Sequence, residues 1–175
     1  MKSSDEVLGK PILHSLVSQE RDFEERVGAE TKRIRDIVNK RSGIKCLLAL
    51  RARTDDKKSS YEYINQLPHE WLCIKALKIL KKRHTGLDWY WAPTTGKGLD
   101  VAGVKAGRVI VAAECSTVTT PTGTLVARLR KAVNNLLDSG AKYNYLFVIT
   151  VKTEEKAKAI IARKSADAKV IKVNA

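Results

Sequence analysis

Residues Gly98 to Ser116 read GLDVAGVKAGRVIVAAECS. Leu99–Val104 and Arg108–Thr117 are predicted as two antiparallel strands joined by Lys105-Ala106-Gly107. Alternation along the second strand puts Ile110, Ala112, Glu114 and Ser116 on one face, and Val109, Val111, Ala113 and Cys115 on the other. Glu114 therefore stands at the end of a strand among small residues, and Asp100 lies in the preceding strand behind Gly98. A hairpin of this kind brings the two carboxylates together. Paired carboxylates in one cleft repel, and they are costly to desolvate without a cation between them. Mg²⁺ suits such a pair because it takes oxygen ligands and keeps positions open for substrate phosphates. The same residues also admit a structural account, with Asp100 shaping a turn and Glu114 paired with a basic residue on the helix behind it. Asp88 reads as a turn or strand-start residue.

Outward from this hairpin the pattern continues on both sides. Upstream, Pro68 precedes a helix over Glu70–Arg83 whose basic end complements the helix dipole. Leu87–Ala92 follows as an aromatic strand, and Pro93–Gly98 as a loop. Trp89, Tyr90 and Trp91 read as core, with base stacking as the alternative. Downstream, Gly123–Asp138 carries Leu125, Leu129, Val133 and Leu136 at helical spacing, and Gly140 follows its end. Tyr143–Val151 is a nearly continuous apolar strand, Glu154–Lys164 a helix and Lys169–Val173 a last strand. The order αβββαβαβ implies an α/β fold, a mixed β-sheet flanked by helices.

The N-terminal third differs. From about Asp5 to Arg41 it is charge-dense and helix-favouring, with Phe23, Val27, Ile34 and Ile37/Val38 on one narrow stripe. Gly9-Lys10-Pro11 separates a short first helix from the long one. Gly43 ends that segment, Ile44–Leu50 fits either a strand or a helical turn, and Thr54–Ser60 reads as a polar loop. The expected division is an N-terminal helical extension over 1–62 and an α/β domain over 63–175. The thin stripe from Gln19 to Arg41 suggests an element that pairs subunits into a homodimer.

Of 175 residues, 33 are basic and 19 acidic, leaving a net charge of +14. That excess attracts polyanions and points to DNA, or RNA, as partner. No apolar run approaches the roughly 20 residues that span a bilayer, and Met1–Glu6 lacks the apolar stretch of a secretory signal. Cys46, Cys73 and Cys115 are scattered within apolar runs and read as reduced thiols, while His14, His69 and His84 form no spaced metal motif. These features lead to the expectation of a cytoplasmic protein.

Gly98-Leu99-Asp100-Val101-Ala102-Gly103 followed by Ile110-Val111-Ala112-Ala113-Glu114-Cys115-Ser116 resembles the PD-(D/E)xK nuclease superfamily. The resemblance covers about Leu67 to Val151 and includes the order of elements. It implies a restriction endonuclease-like core, with Asp100 and Glu114 holding Mg²⁺ (Mn²⁺ as a substitute) and the backbone carbonyl of Cys115 as a further ligand. Glu70 matches an additional acid that some members carry on the preceding helix; a first-turn residue stabilised by the helix dipole is the other reading. Ser116 stands where the family has its lysine. Members lacking that lysine commonly carry the basic group on the following helix, which here offers Lys131 and Arg128. Lys97 and Lys105 are further candidates from neighbouring loops. Thr94, Thr95 and Lys97, and the Thr117–Thr124 segment, suit phosphate contacts.

The activity so implied is that of a metal-dependent endonuclease hydrolysing phosphodiester bonds of DNA, of restriction, junction-resolving or repair and replication type. The missing lysine keeps a second reading open: a catalytically degenerate nucleic-acid-binding protein on the same fold.

Overall fold

A computed structural model of the chain describes residues 10–11, 15–52, 59–92 and 98–174. The segment before Gly9 and the loop carrying Thr94, Thr95 and Lys97 lie outside the described residues. Contacts divide the chain into two units, one of residues 14–71 and one of residues 72–175 together with the N-terminal thirteen. The division falls within a helix, beyond the 62/63 boundary expected from the sequence.

The helical unit begins with α1 (Leu16–Lys40), whose N-cap Ser15 accepts the Ser18 N–H at 3.2 Å. A second helix, α2 (Gly43–Arg51), settles the strand-or-helix ambiguity of Ile44–Leu50. The next helix, α3 (Ser60–Arg83), starts ten residues before Glu70 and runs through Pro68. Its start is a capping box: the Ser59 N–H donates to Glu62 at 2.7 Å, and the Glu62 N–H donates to Ser59 Oγ at 3.2 Å. Pro68 was expected to open the helix. An internal proline forfeits one backbone bond and costs about 3 kcal/mol, which this continuous helix absorbs. Along α1, Phe23, Val27 and Ile34 share an open groove of about 430 Å³ with Ile64, Leu67, Pro68 and Trp71.

The sheet unit is α/β, and its strands lie in chain order. They are β1 (Lys10–Pro11), β2 (Asp88–Trp91), β3 (Val101–Lys105), β4 (Arg108–Ser116), β5 (Tyr143–Val148) and β6 (Lys169–Lys172). β1 to β4 pair antiparallel, and β4, β5 and β6 pair parallel. Lys10–Pro11, expected to break two helices, instead pairs with Trp91 and Tyr90 at the sheet edge. Ala106 and Gly107, at φ 49° and 72°, form the β3–β4 turn; two successive positive φ values match the twist of a hairpin.

Two helices cross between the parallel strands, α4 (Thr124–Asp138) and α5 (Val151–Arg163). Val151, expected in the strand, is the first residue of α5, because Thr150 caps the Thr153 N–H at 3.2 Å. Leu129, Val133 and Leu136 of α4 and Ile160 and Ile161 of α5 pack with Ala102, Ala112, Leu146 and Val148 into one core. The opposite sheet face meets the C-terminal half of α3, where the free thiols of Cys73 and Cys115 share a hydrogen bond; His84, just past the helix end, hydrogen-bonds the Tyr145 hydroxyl. The result is a three-layer unit with the sheet in the middle.

Candidate metal and nucleic-acid site

Glu114 is 7% exposed and lies on the α4 face of the sheet, as alternation from Ala112 requires. Its Oε1 accepts a hydrogen bond from Asn135 Nδ2 at 3.1 Å. An amide stabilises the carboxylate without adding a counter-charge. Continuing the register Val101↔Ala113 by one residue sets Asp100 opposite Glu114.

The ladder opens at this point. The carbonyl of Asp100 is turned to the other neighbour, accepting the Ala92 N–H at 3.0 Å. The Cys115 N–H, which further β3–β4 pairing would have used, donates to Asp100 Oδ2 at 2.7 Å. A carboxylate oxygen of Asp100 also lies within 4.8 Å of Cys73 Sγ on α3. Strict alternation from Ala102 places Asp100, and not Leu99, on the α4 face. Leu99 takes that place instead, 2% exposed within the α4–α5 core. Burying a leucine is worth about 2 kcal/mol, and the displaced carboxylate gains a charge-assisted backbone bond.

Asp100 and Glu114 therefore both lie beside Cys115, Glu114 on the α4 face of the sheet and Asp100 displaced from that face toward Cys73 of α3. Burial, first of all, raises the Cys115 thiol pKa well above its ordinary value; its bond to Cys73 and the charges of Asp100 and Glu114 add to the effect. Within a strand, the N–H and C=O of one residue point to the same edge. The Cys115 carbonyl thus faces the edge where Asp100 sits. Carboxylate and carbonyl oxygens are the hard donors that Mg²⁺ or Mn²⁺ takes.

The other residues singled out from the sequence fall in several places. Ser116 is buried beyond Glu114, at 9% exposure. Lys131 and Arg128 are exposed on α4, and Asn135, one turn past Lys131, donates to Glu114. Lys105 closes β3 at the hairpin turn, five residues from Asp100 and so about 17 Å along the strand. At that distance it does not reach the carboxylates. Thr94 and Lys97 lie outside the described residues.

Glu70 is neither a first-turn residue nor an open ligand. Arg26 of α1 grips both its oxygens, Nη1 to Oε2 at 2.8 Å and Nη2 to Oε1 at 2.5 Å. The hydrogen bond that Arg26 donates to Glu70 raises the Arg26 pKa, against the lowering by burial. Such a fork-to-fork pair neutralises the acid inside the helical unit. Trp89 is buried against Gly103, as core, and Tyr90 packs on the α4–α5 side.

Asn135 was not singled out from the sequence. Its signal was present: it continues the Arg128–Lys131 side of α4 by one more helical step. Compared with protein families, curated proteins and solved structures, the chain matches none. Among the described residues no helix is long and apolar enough to cross a membrane.

Proposed function

We propose that the sheet unit is a metal-dependent nuclease of PD-(D/E)xK type that hydrolyses phosphodiester bonds in DNA. The observation that carries this reading is the opening of the β3–β4 ladder at Asp100. It sets one carboxylate beside the Cys115 backbone, one residue along β4 from Glu114. The net charge of +14 supports a polyanionic substrate.

In this reading Asp100, Glu114 and the Cys115 carbonyl hold a divalent cation, which supplies Lewis acidity toward the phosphate and lowers the pKa of a bound water. Asn135 orients the Glu114 carboxylate. Water adds to phosphorus in line, the P–O3′ bond breaks, and the products carry a 5′-phosphate and a 3′-hydroxyl. Ser116, where the resemblance calls for lysine, offers a hydroxyl and no positive charge. The charge gathering on phosphate must then be met by a cation from elsewhere, for which Lys131 and Arg128 are the candidates on α4.

A second reading is favoured by specific observations: a binding protein on the same scaffold that does not cut. Arg26 occupies Glu70, Asp100 is engaged by a backbone N–H, and Ser116 replaces the basic group.

Nicking of a supercoiled plasmid with Mg²⁺, Mn²⁺ or a chelator separates the two. The nuclease reading expects metal-dependent nicking that falls about a hundredfold or more in Asp100→Asn and Glu114→Gln, with DNA binding retained by Glu114→Gln. Binding that weakens steeply with salt, with no nicking under any metal, leaves the second reading. Nicking unchanged in both variants removes these acids from the mechanism.

A further inference from the structure

The end of the sheet away from Glu114 carries a different chemistry. Tyr143 opens β5 opposite Val111, and Lys169 opens β6 opposite Tyr145. Arg83 ends α3, and His84 follows it. The His84 and Tyr143 rings lie 4.9 Å apart between centroids at 41°, and His84 Nε2 is 2.9 Å from the Tyr145 hydroxyl. Lys142 Nζ stands 5.2 Å from the Tyr143 ring centroid. Tyr143 is 36% exposed, and Arg83, Lys142 and Lys169 are partly or fully exposed.

Like charges gathered from three elements repel one another. Their field reaches His84, whose pKa is lowered first by burial and then by Arg83 and Lys169. The α3 dipole accounts for a cation on its own last turn. It does not account for Lys142 and Lys169, which come from the starts of two strands. An external anion relieves this repulsion. The partly exposed Tyr143 ring, tilted against His84, adds an aromatic face at the same spot. Cations beside an accessible ring are what an unpaired nucleotide requires: phosphates for the charges and a base for the ring. A duplex offers the phosphates but keeps its base faces stacked inside.

We propose that Arg83, His84, Lys142, Tyr143 and Lys169 form a binding surface for single-stranded nucleic acid, separate from the acidic end of the sheet. One base stacks on Tyr143, and the flanking phosphates lie across Arg83, Lys142 and Lys169. Acids occur at this end too: Asp88 opens β2, Asp138 ends α4 and Asp167 precedes β6.

The test is fluorescence anisotropy of the full chain with labelled oligo-thymidylate and with a duplex of equal length, in chelator so that no cleavage intervenes. Circular dichroism checks that each variant folds. Lys142→Glu with Lys169→Glu weakens oligo-thymidylate binding about tenfold or more at low salt, and the loss shrinks as salt rises. Tyr143→Ala weakens the single strand about fivefold and leaves the duplex unchanged. Asp100→Asn retains single-strand binding, so failure of the nuclease reading leaves this surface standing. Folded variants that bind as the parent does overturn the proposal. So does a Tyr143→Ala loss that is equal for duplex and single strand, or a polyglutamate peptide that competes as well as unlabelled oligo-thymidylate.

Discussion

The two units bury different kinds of residue. In the sheet unit Phe147, Leu129, Leu136, Leu146 and Val133 are fully enclosed, and nearly all the buried apolar side chains among the described residues lie there. In the helical unit the buried residues among those described are Glu30, Ala49, Ser59 and Ser60. Its larger apolar groups line an open groove or stand exposed, as Ile44, Leu47 and Leu48 do on α2. The sheet unit is held by close packing. The helical unit is held by caps and charge pairs: the Ser59–Glu62 box, Arg26 on Glu70 and Arg33 on Glu30. Substitutions of one chemistry should therefore have different consequences in the two.

The largest difference is expected from truncating apolar side chains. Phe147→Ala leaves a cavity in a packed interior and should cost about 3–5 kcal/mol. Ile34→Ala, at the rim of an existing groove, should cost about 1 kcal/mol, because solvent already reaches the space it vacates. Urea midpoints of the two variants check this. Equal losses would mean that the groove is closed in solution and that the contrast between the units is wrong.

A smaller effect is sharper because its sign changes. Gly103 and Gly28 are both inside regular elements. A Cβ at Gly103 would stand 2.9 Å from Leu87 Cδ1 and 3.1 Å from the Trp89 ring. Gly103→Ala should therefore destabilise by about 1–3 kcal/mol. A Cβ at Gly28, within α1, meets nothing within 4 Å, so Gly28→Ala should stabilise by about 0.5–1 kcal/mol through helix propensity and chain entropy. Melting temperatures moving in opposite directions support the comparison, and shifts of one sign break it.

The same contrast explains what was legible in the sequence. The β3–β4 hairpin, α4 and the order of elements could be read because local period and burial agree there: Ala112 and Leu129 lie where alternation and helical spacing put them. The start of α3 was misplaced because Pro68 was read as lying at its first turn, while the Ser59-x-x-Glu62 capping box that starts it went unread. At Asp100 alternation failed for a tertiary reason. Leu99 claimed the buried place, and the carboxylate went to the Cys115 N–H. The Arg26–Glu70 pair joins residues forty-four apart, and no local pattern announces it. Glu114 was placed on its correct face, and Asn135, which donates to it, was not among the partners expected.

The smallest expected effect concerns His84, on the packed side of this comparison. Its imidazole is pushed below the ordinary 6.5, first by burial and then by Arg83 and Lys169, with Tyr143 and Tyr145 as its other neighbours. A base whose folded pKa is depressed takes up its proton more readily when unfolded. The stability it contributes is present above the unfolded value and is lost as pH falls from there toward the folded pKa. Melting temperature should therefore drop between about pH 7 and pH 5, and His84→Gln should flatten part of that drop relative to the parent. A polyanion seated on Arg83 and Lys169 screens the charges that depress His84. NMR titration of the imidazole should then give a higher pKa in the presence of oligo-thymidylate than in its absence. An imidazole that titrates identically with and without the oligonucleotide would separate this residue from the basic end of the sheet and leave burial as the whole cause of its shift.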